Sequence, residues 1–107
     1  MFEINNTHQL YVRYAETDQM CVVYHSNYFI YFETGRNELM RKYGVSLPKF
    51  EATDNLFFPL IDCYAKFLLP AHYDELLTID TILTYDGLLT FKFENIIKRN
   101  ADKLCSG

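Results

Sequence analysis

The 107-residue chain predicts a single α+β domain in which one long helix lies against one antiparallel sheet. Three observations carry that expectation. Residues Tyr24 to Tyr43 keep a helical period, the segments on either side alternate with a period of two, and the later segments are joined by hairpin-type turns. Internal repeats, low-complexity tracts and flexible linkers are absent from the sequence.

The first element is a strand over Thr7–Tyr14, with Leu10, Val12 and Tyr14 on one face and Gln9, Tyr11 and Arg13 on the other. The run "AETDQM" ends it with small, acidic and amide residues. A helix is then predicted from Tyr24 to Tyr43. Tyr28, Phe32, Gly35, Leu39 and Tyr43 form its apolar stripe, while Arg36, Asn37, Arg41 and Lys42 hold much of the opposite side. Arg41 and Lys42 fall in the last turn, where cations suit the helix dipole, and Gly44 is placed to close the helix in the left-handed conformation. At ~1.5 Å per residue the rod is about 30 Å long, and something wide must cover its stripe.

After a connecting segment from Pro48 to Asn55, three β-like stretches follow. "FPLIDCYAKFLLP" begins at Phe58 and is closed by Pro70; its Pro59 suits a strand start or an edge. "DELLTIDTILTY" places Leu77, Ile79, Thr81 and Leu83 on one face. The dipeptide Asp86-Gly87 leads into "LLTFKFENIIKRN", where Leu89, Phe91, Phe93 and Ile97 share a side and Lys92, Glu94 and Lys98 the other. "NADK" reads as a further hairpin turn, and "LCSG" as a strand that stops as soon as it starts.

Composition narrows the function classes. Nine Tyr and nine Phe offer more flat apolar surface than one small core can hold, so self-association is expected. A net charge of −4, with no basic stripe, argues against nucleic-acid binding; Lys98, Arg99 and Lys103 read as a solvated hairpin end. Cys21, Cys63 and Cys105 are odd in number and form no CxxC pair, which suits a reducing compartment. The start Met1-Phe2-Glu3-Ile4-Asn5 lacks the pattern of a signal peptide, and no apolar run approaches a transmembrane segment. A soluble cytoplasmic protein is the expectation.

Chemistry concentrates where the first strand crosses into the helix. Asp18 lies on the turn and His25 at the helix mouth. Both types are ordinary turn and cap residues, and spacing leaves that reading open. The functional reading is local. The first N–H groups of a helix point outward and favour negative charge, so those near Tyr24 and His25 suit the oxygen of a polarised carbonyl. Asp18 is placed to reach the carbonyl carbon or an attacking water. His8, His25 and His72 are scattered, so no metal site is expected, and no phosphate loop or GxSxG elbow occurs.

The stretch "YAETDQMCVVYHSNYFIYFETGRNEL" (Tyr14 to Leu39) resembles the signature of the hot-dog-fold acyl-CoA thioesterases. It is most similar to the 4-hydroxybenzoyl-CoA thioesterase family and its Tol–Pal-associated branch. The resemblance rests on Tyr14, Glu16, Thr17-Asp18, Val22-Val23-Tyr24-His25, Asn27-Tyr28, and Phe32-Glu33 with Arg36; "PAHYDELL" (Pro70 to Leu77) adds to it. It implies a hot-dog domain over residues 1–107 with the sheet wrapped round the central helix. It also implies an acyl-CoA substrate, no cofactor beyond the coenzyme A of that substrate, and a homodimer or homotetramer. Asp18 takes the catalytic carboxylate position, as nucleophile or general base. His25 takes the position whose backbone N–H polarises the thioester carbonyl, with its imidazole in support. Tyr24 and Asn27 take positions that shape the substrate site.

Two departures stand out. The family usually carries glycine at the position of Cys21, and the chain is expected to lack the family's final strand after Gly107. The alternatives are a hot-dog hydratase or dehydratase and a non-catalytic acyl-CoA or protein-binding module. Phe29, Phe32, Phe57 and Phe58 are candidates for core packing before any acyl pocket.

Overall fold

The computed structural model describes residues 2–44, 60–85 and 90–107. Its elements are β1 (Phe2–Tyr11), a 3₁₀ turn (Tyr14–Glu16), α1 (Ser26–Lys42), β2 (Lys66–Phe67), β3 (Leu76–Tyr85), β4 (Phe91–Arg99) and β5 (Asp102–Ser106). The strands form one antiparallel sheet in the order β1-β3-β4-β5-β2, and α1 lies across it. This is the expected α+β arrangement of one helix and one sheet. The segment Pro48–Asn55, together with Phe57, Phe58, Pro59, Asp86-Gly87 and Leu89, lies outside the described residues.

β1 differs from the expected Thr7–Tyr14 at both ends. It starts at Phe2 because the ten residues of β3 pair with all of Phe2–Tyr11, and that ladder overrides the weak strand propensity of Asn5 and Asn6. Leu10 and Val12 face the helix side as expected, but Tyr14 is 75% exposed because the 3₁₀ turn swings it outward. There it meets the edge of Tyr73, with ring centroids 5.7 Å apart.

α1 is shorter than the expected Tyr24–Tyr43 span. Tyr28, Tyr31, Phe32, Gly35 and Leu39 are buried, whereas Tyr43 leaves the stripe and is 48% exposed. Gly44 has φ +79 and its N–H bonds the Arg41 carbonyl, as a helix-closing glycine should. The stripe meets Leu77, Ile79 and Leu83 of β3, Ile97 of β4, and Leu104 and Cys105 of β5 to make the core. Burial pushes the Cys105 thiol up to about 11.

The helix and sheet approach closely at Gly35. A Cβ there would sit 2.5 Å from Thr81 Oγ1 and 2.8 Å from Ile79 Cγ2. Thr81 is itself buried and donates to Asn95 Oδ1 at 2.9 Å, so a satisfied polar pair underlies the crossing.

The described part of the expected Phe58–Pro70 strand, Leu60 to Pro70, is not the long strand its composition suggests. Among these described residues only Lys66 and Phe67 pair, with Ser106 and Cys105, while Leu60, Ile61 and Tyr64 are exposed. The Leu68 and Leu69 N–H groups both turn onto the Leu104 carbonyl, at 2.9 and 3.1 Å, which bends the chain across β5 instead of along it. β5 is longer than "LCSG" suggests. It begins at Asp102 after Asn100 (φ +55) and carries its ladder to Gly107, whose N–H bonds the Asn95 carbonyl at 2.9 Å.

Gly35→Ala tests the crossing. In an exposed helix Gly→Ala stabilises by about 1 kcal/mol. At Gly35 overpacking against two short branched side chains should reverse the sign and destabilise by about 1–3 kcal/mol. Urea denaturation reads the difference, and a raised midpoint would contradict the crossing as described.

Candidate active site

The loop between β1 and α1 is organised by Glu16, a buried carboxylate 8% exposed. Its Oε1 accepts the Arg13 N–H at 2.8 Å and the Tyr31 hydroxyl at 2.9 Å, and its Oε2 accepts the Arg13 guanidinium. Burial, then the bond to Glu16, pushes the Tyr31 phenol far above its ordinary value and keeps it a donor. The Glu16 carbonyl accepts the Tyr24 N–H and the Asn27 side-chain amide, both at 2.9 Å. One residue thus joins the end of β1, the 3₁₀ turn and the first turn of α1.

Asp18 stands on a four-residue turn. Its N–H bonds the Val22 carbonyl at 2.9 Å, and its own carbonyl accepts the Cys21 N–H at 2.9 Å. Its Oδ1 accepts the Met20 N–H at 2.8 Å, an Asx-type contact that fixes the side chain and leaves Oδ2 without a partner among the described residues. Cys21 closes the turn at φ +64, the conformation that a glycine would take without strain. The second arm of the turn, Val22-Val23, is bonded in its turn to residues 71 and 72: Val22 bridges His72, and Val23 N–H reaches the Ala71 carbonyl at 2.9 Å.

The helix mouth refines the expected oxyanion site. The Tyr24 N–H is committed to Glu16, so it is not one of the free amides. The His25 and Ser26 N–H groups donate to no acceptor among the described residues. An open cleft of about 350 Å³ is lined by Asp18, His25, Met20, Val22, Val23, Tyr28 and the run Phe67–Pro70. The acid and the histidine singled out in the sequence therefore face one space. Tyr24 and Asn27 do not line it. Tyr24 packs its ring against His25 at 4.2 Å, and Asn27 turns its amide to Glu16. Phe29 and Phe32 pack edge to face on each other, 5.9 Å apart, and are not among the cleft residues.

Sequence reasoning passed over three contributors. Glu16 reads as turn chemistry, although an acid three residues after Arg13 at a strand end is a capping pattern. Tyr28 reads only as core, yet it is a cleft wall, edge-on to Phe67 at 5.3 Å. Phe67–Pro70 reads as strand, and nothing local reveals that it folds over the helix mouth. No group of three or more His, Cys, Asp or Glu that could hold a metal ion occurs among the described residues.

Segment 70–75 is held by Glu75 and Arg99. Glu75 Oε1 accepts the His72 N–H at 2.6 Å, and the Arg99 guanidinium reaches both Glu75 oxygens at 3.0 Å and the Pro70 carbonyl at 3.1 Å. Partial burial alone would raise the Glu75 carboxyl, but the bonds from His72 and Arg99 outweigh it and hold it below the usual range.

A family model described as "Thioesterase superfamily" matches residues 20–106. The chain belongs to the thioesterase superfamily. The Bacillus subtilis protein "Putative acyl-CoA thioesterase YneP" is 37% identical to this superfamily member over 83 residues, covering 77% of it and 59% of YneP. The hypothetical protein TT1821 of Thermus thermophilus superposes with a TM-score of 0.91 at 32% identity, over 97% of this chain and 79% of that one. A "Probable Thioesterase" of Bartonella henselae gives 0.88 at 30%, over 96% and 86%. These likenesses identify the sheet and helix as a hot-dog fold. The chain spans about three-fifths of the length of the curated relatives it matches. No helix among the described residues is long and apolar enough to cross a membrane.

Two outcomes are expected of this superfamily member. Cys21→Gly should raise stability by up to about 1 kcal/mol: relief of left-handed strain, about 1–2 kcal/mol, is partly offset by the greater freedom of glycine when unfolded. Thermal melting checks this, and a lower midpoint contradicts it. Because the Glu75 pKa is depressed on folding, its stabilisation is complete above the ordinary glutamate value of 4.5 and is lost as pH falls through the depressed one. The melting difference between wild type and Glu75→Gln should therefore shrink below that pH. A difference that persists unchanged would contradict the ion pair.

Proposed function

We propose that the chain hydrolyses acyl-CoA thioesters, with Asp18 as the reacting carboxylate and the first amides of α1 as the carbonyl clamp. The observation that carries this reading is that Asp18 and the open end of α1 share one cleft. The names "Putative acyl-CoA thioesterase YneP", "Acyl-CoA thioester hydrolase YbgC" and "Acyl-CoA thioesterase YbgC" of its relatives support it. With Oδ1 held by Met20, Oδ2 is the oxygen available for chemistry. As nucleophile it would attack the thioester carbon while the His25 and Ser26 N–H groups take the developing oxyanion. The thiolate of coenzyme A would depart and take up a proton. Water would then split the acyl–Asp18 anhydride, releasing the free acid and restoring the carboxylate. As general base it would instead take a proton from the attacking water and pass it to the departing thiolate. Either route consumes one water and yields one acid and one thiol.

In this reading the His25 imidazole supports the clamp from beside Tyr24, and Tyr24 and Asn27 shape the site from behind, through His25 and Glu16. The sequence motif from Val22 to Tyr28 favours the 4-hydroxybenzoyl-CoA thioesterase family and its Tol–Pal-associated branch. Exposed Tyr11, Tyr14, Tyr73 and Phe67 suit a homodimer or homotetramer, and the free thiols Cys21, Cys63 and Cys105 suit the cytoplasm. The strained Cys21 beside Asp18 favours a second reading, an acyl-CoA-binding module without turnover.

Asp18→Asn is the test. Its side-chain carbonyl can still accept the Met20 N–H, so the turn and the melting temperature should be kept. Thiol release from an acyl-CoA series should fall by about 10²–10⁴-fold. Wild-type turnover by the variant would remove Asp18 from the mechanism. Ligand binding by the wild type with no thiol release at any chain length would favour the binding module.

A further inference from the structure

We propose that Arg99 and Glu75 are positioning residues for the Asp18 carboxylate, acting through the backbone of segment 70–72. The inference rests on the reading of Asp18 given above. Neither side chain lines the cleft, and the path between them and Asp18 is continuous. The Arg99 guanidinium, at the end of β4, grips both Glu75 oxygens and the Pro70 carbonyl. Glu75 in turn takes the His72 N–H at 2.6 Å, with His72 Nδ1 3.2 Å from the same oxygen. Between those two grips lies Ala71, which is fully buried and accepts Val23 N–H at 2.9 Å, while His72 bridges Val22. The Val22 carbonyl then receives the Asp18 N–H, also at 2.9 Å.

This path is short and made of hydrogen bonds with fixed direction. Segment 70–72 has no strand of its own; it meets its neighbours through the bridge to Val22, the bonds just described and a hydrogen bond between the Ala71 backbone and the Tyr28 phenol. Its far side is held by a charge-assisted contact, the stronger kind of hydrogen bond. The same grip sets Pro70, the last residue of the apolar wall that faces Asp18 across the cleft. Loss of the guanidinium therefore frees both the support of the Asp18 turn and the opposite wall. Misplacement of a reacting group by about 1 Å can cost up to a hundredfold in rate.

The test separates positioning from stability. With the full chain and an acyl-CoA it hydrolyses, Arg99→Gln should lower kcat by roughly tenfold to a hundredfold, at temperatures where it remains folded. The KM should rise by less than kcat falls, because the wall is loosened but no cleft side chain is removed. Arg99→Lys, which keeps a cation with enough donors for both Glu75 and Pro70, should recover most of the rate. The Asp18→Asn, Arg99→Gln double variant should turn over no more slowly than Asp18→Asn alone, since positioning has no further effect once the positioned group is gone. Multiplying losses in the double variant would overturn the proposal. So would a rate loss in Arg99→Gln that matches only the fraction unfolded. Wild-type turnover by Asp18→Asn alone would instead remove Asp18 as the reacting group, and with it the reading this proposal rests on, before any Arg99 variant is made.

Discussion

The site depends first on the satisfaction of one buried carboxylate. Glu16 is removed from water at the junction of strand and helix, and a charge there is tolerable only if its oxygens are fully occupied. Arg13 supplies the countercharge and Tyr31 a neutral hydroxyl from inside the core. Because Tyr31 belongs to α1 and Arg13 to the end of the β1 segment, this requirement sets the distance between helix and strand. The carbonyl of the same residue holds the Tyr24 N–H and the Asn27 side chain, so the first turn of the helix is tied to the loop. The amides left over at the mouth are those of His25 and Ser26.

A second constraint acts at the other end of the helix contact. Gly35 lets α1 settle onto Thr81 and Ile79 with no side chain between, and the Thr81–Asn95 bond keeps the polar atoms beneath it satisfied. Glu16 and Gly35 lie on different parts of the helix–sheet seam. Together they leave α1 little freedom to tilt or slide, which is what a carbonyl clamp built from backbone amides needs. Preorganised donors are effective because they do not have to be moved into place during the reaction.

The cleft has two sides with different origins. The Asp18 turn and the helix mouth come from one continuous segment, 18 to 26, and owe their arrangement to turn hydrogen bonds. The wall of Phe67 to Pro70 comes from the bend over Leu104 and is fastened by Arg99. Tyr28 stands between them, its phenol pushed up by burial and its ring edge-on to Phe67. Changes on either side act on the same space, so the acid and the wall are best understood as one unit.

Periodicity determined the helix stripe through Tyr28, Phe32, Gly35 and Leu39 and the buried face of Leu77, Ile79, Thr81 and Leu83, because side-chain spacing follows directly from backbone geometry; the turn signals indicated an antiparallel sheet but not its strand order. The local motif around Asp18 and His25 was legible for the same reason: a turn and a helix start are short-range structures. Tertiary structure decided the rest. It ended β1 at Tyr11 and left a two-residue strand within Leu60–Pro70, since strand length depends on what the partner offers. Tyr24 lost its free amide, Asn27 became a staple, and Glu16 rose from a turn acid to the centre of the loop. It also brought Phe67 to Pro70 against Asp18, some fifty positions earlier, and set Arg99 behind them. No local pattern encodes such contacts, because they arise only when separate segments compete for the same hydrogen bonds and the same buried space.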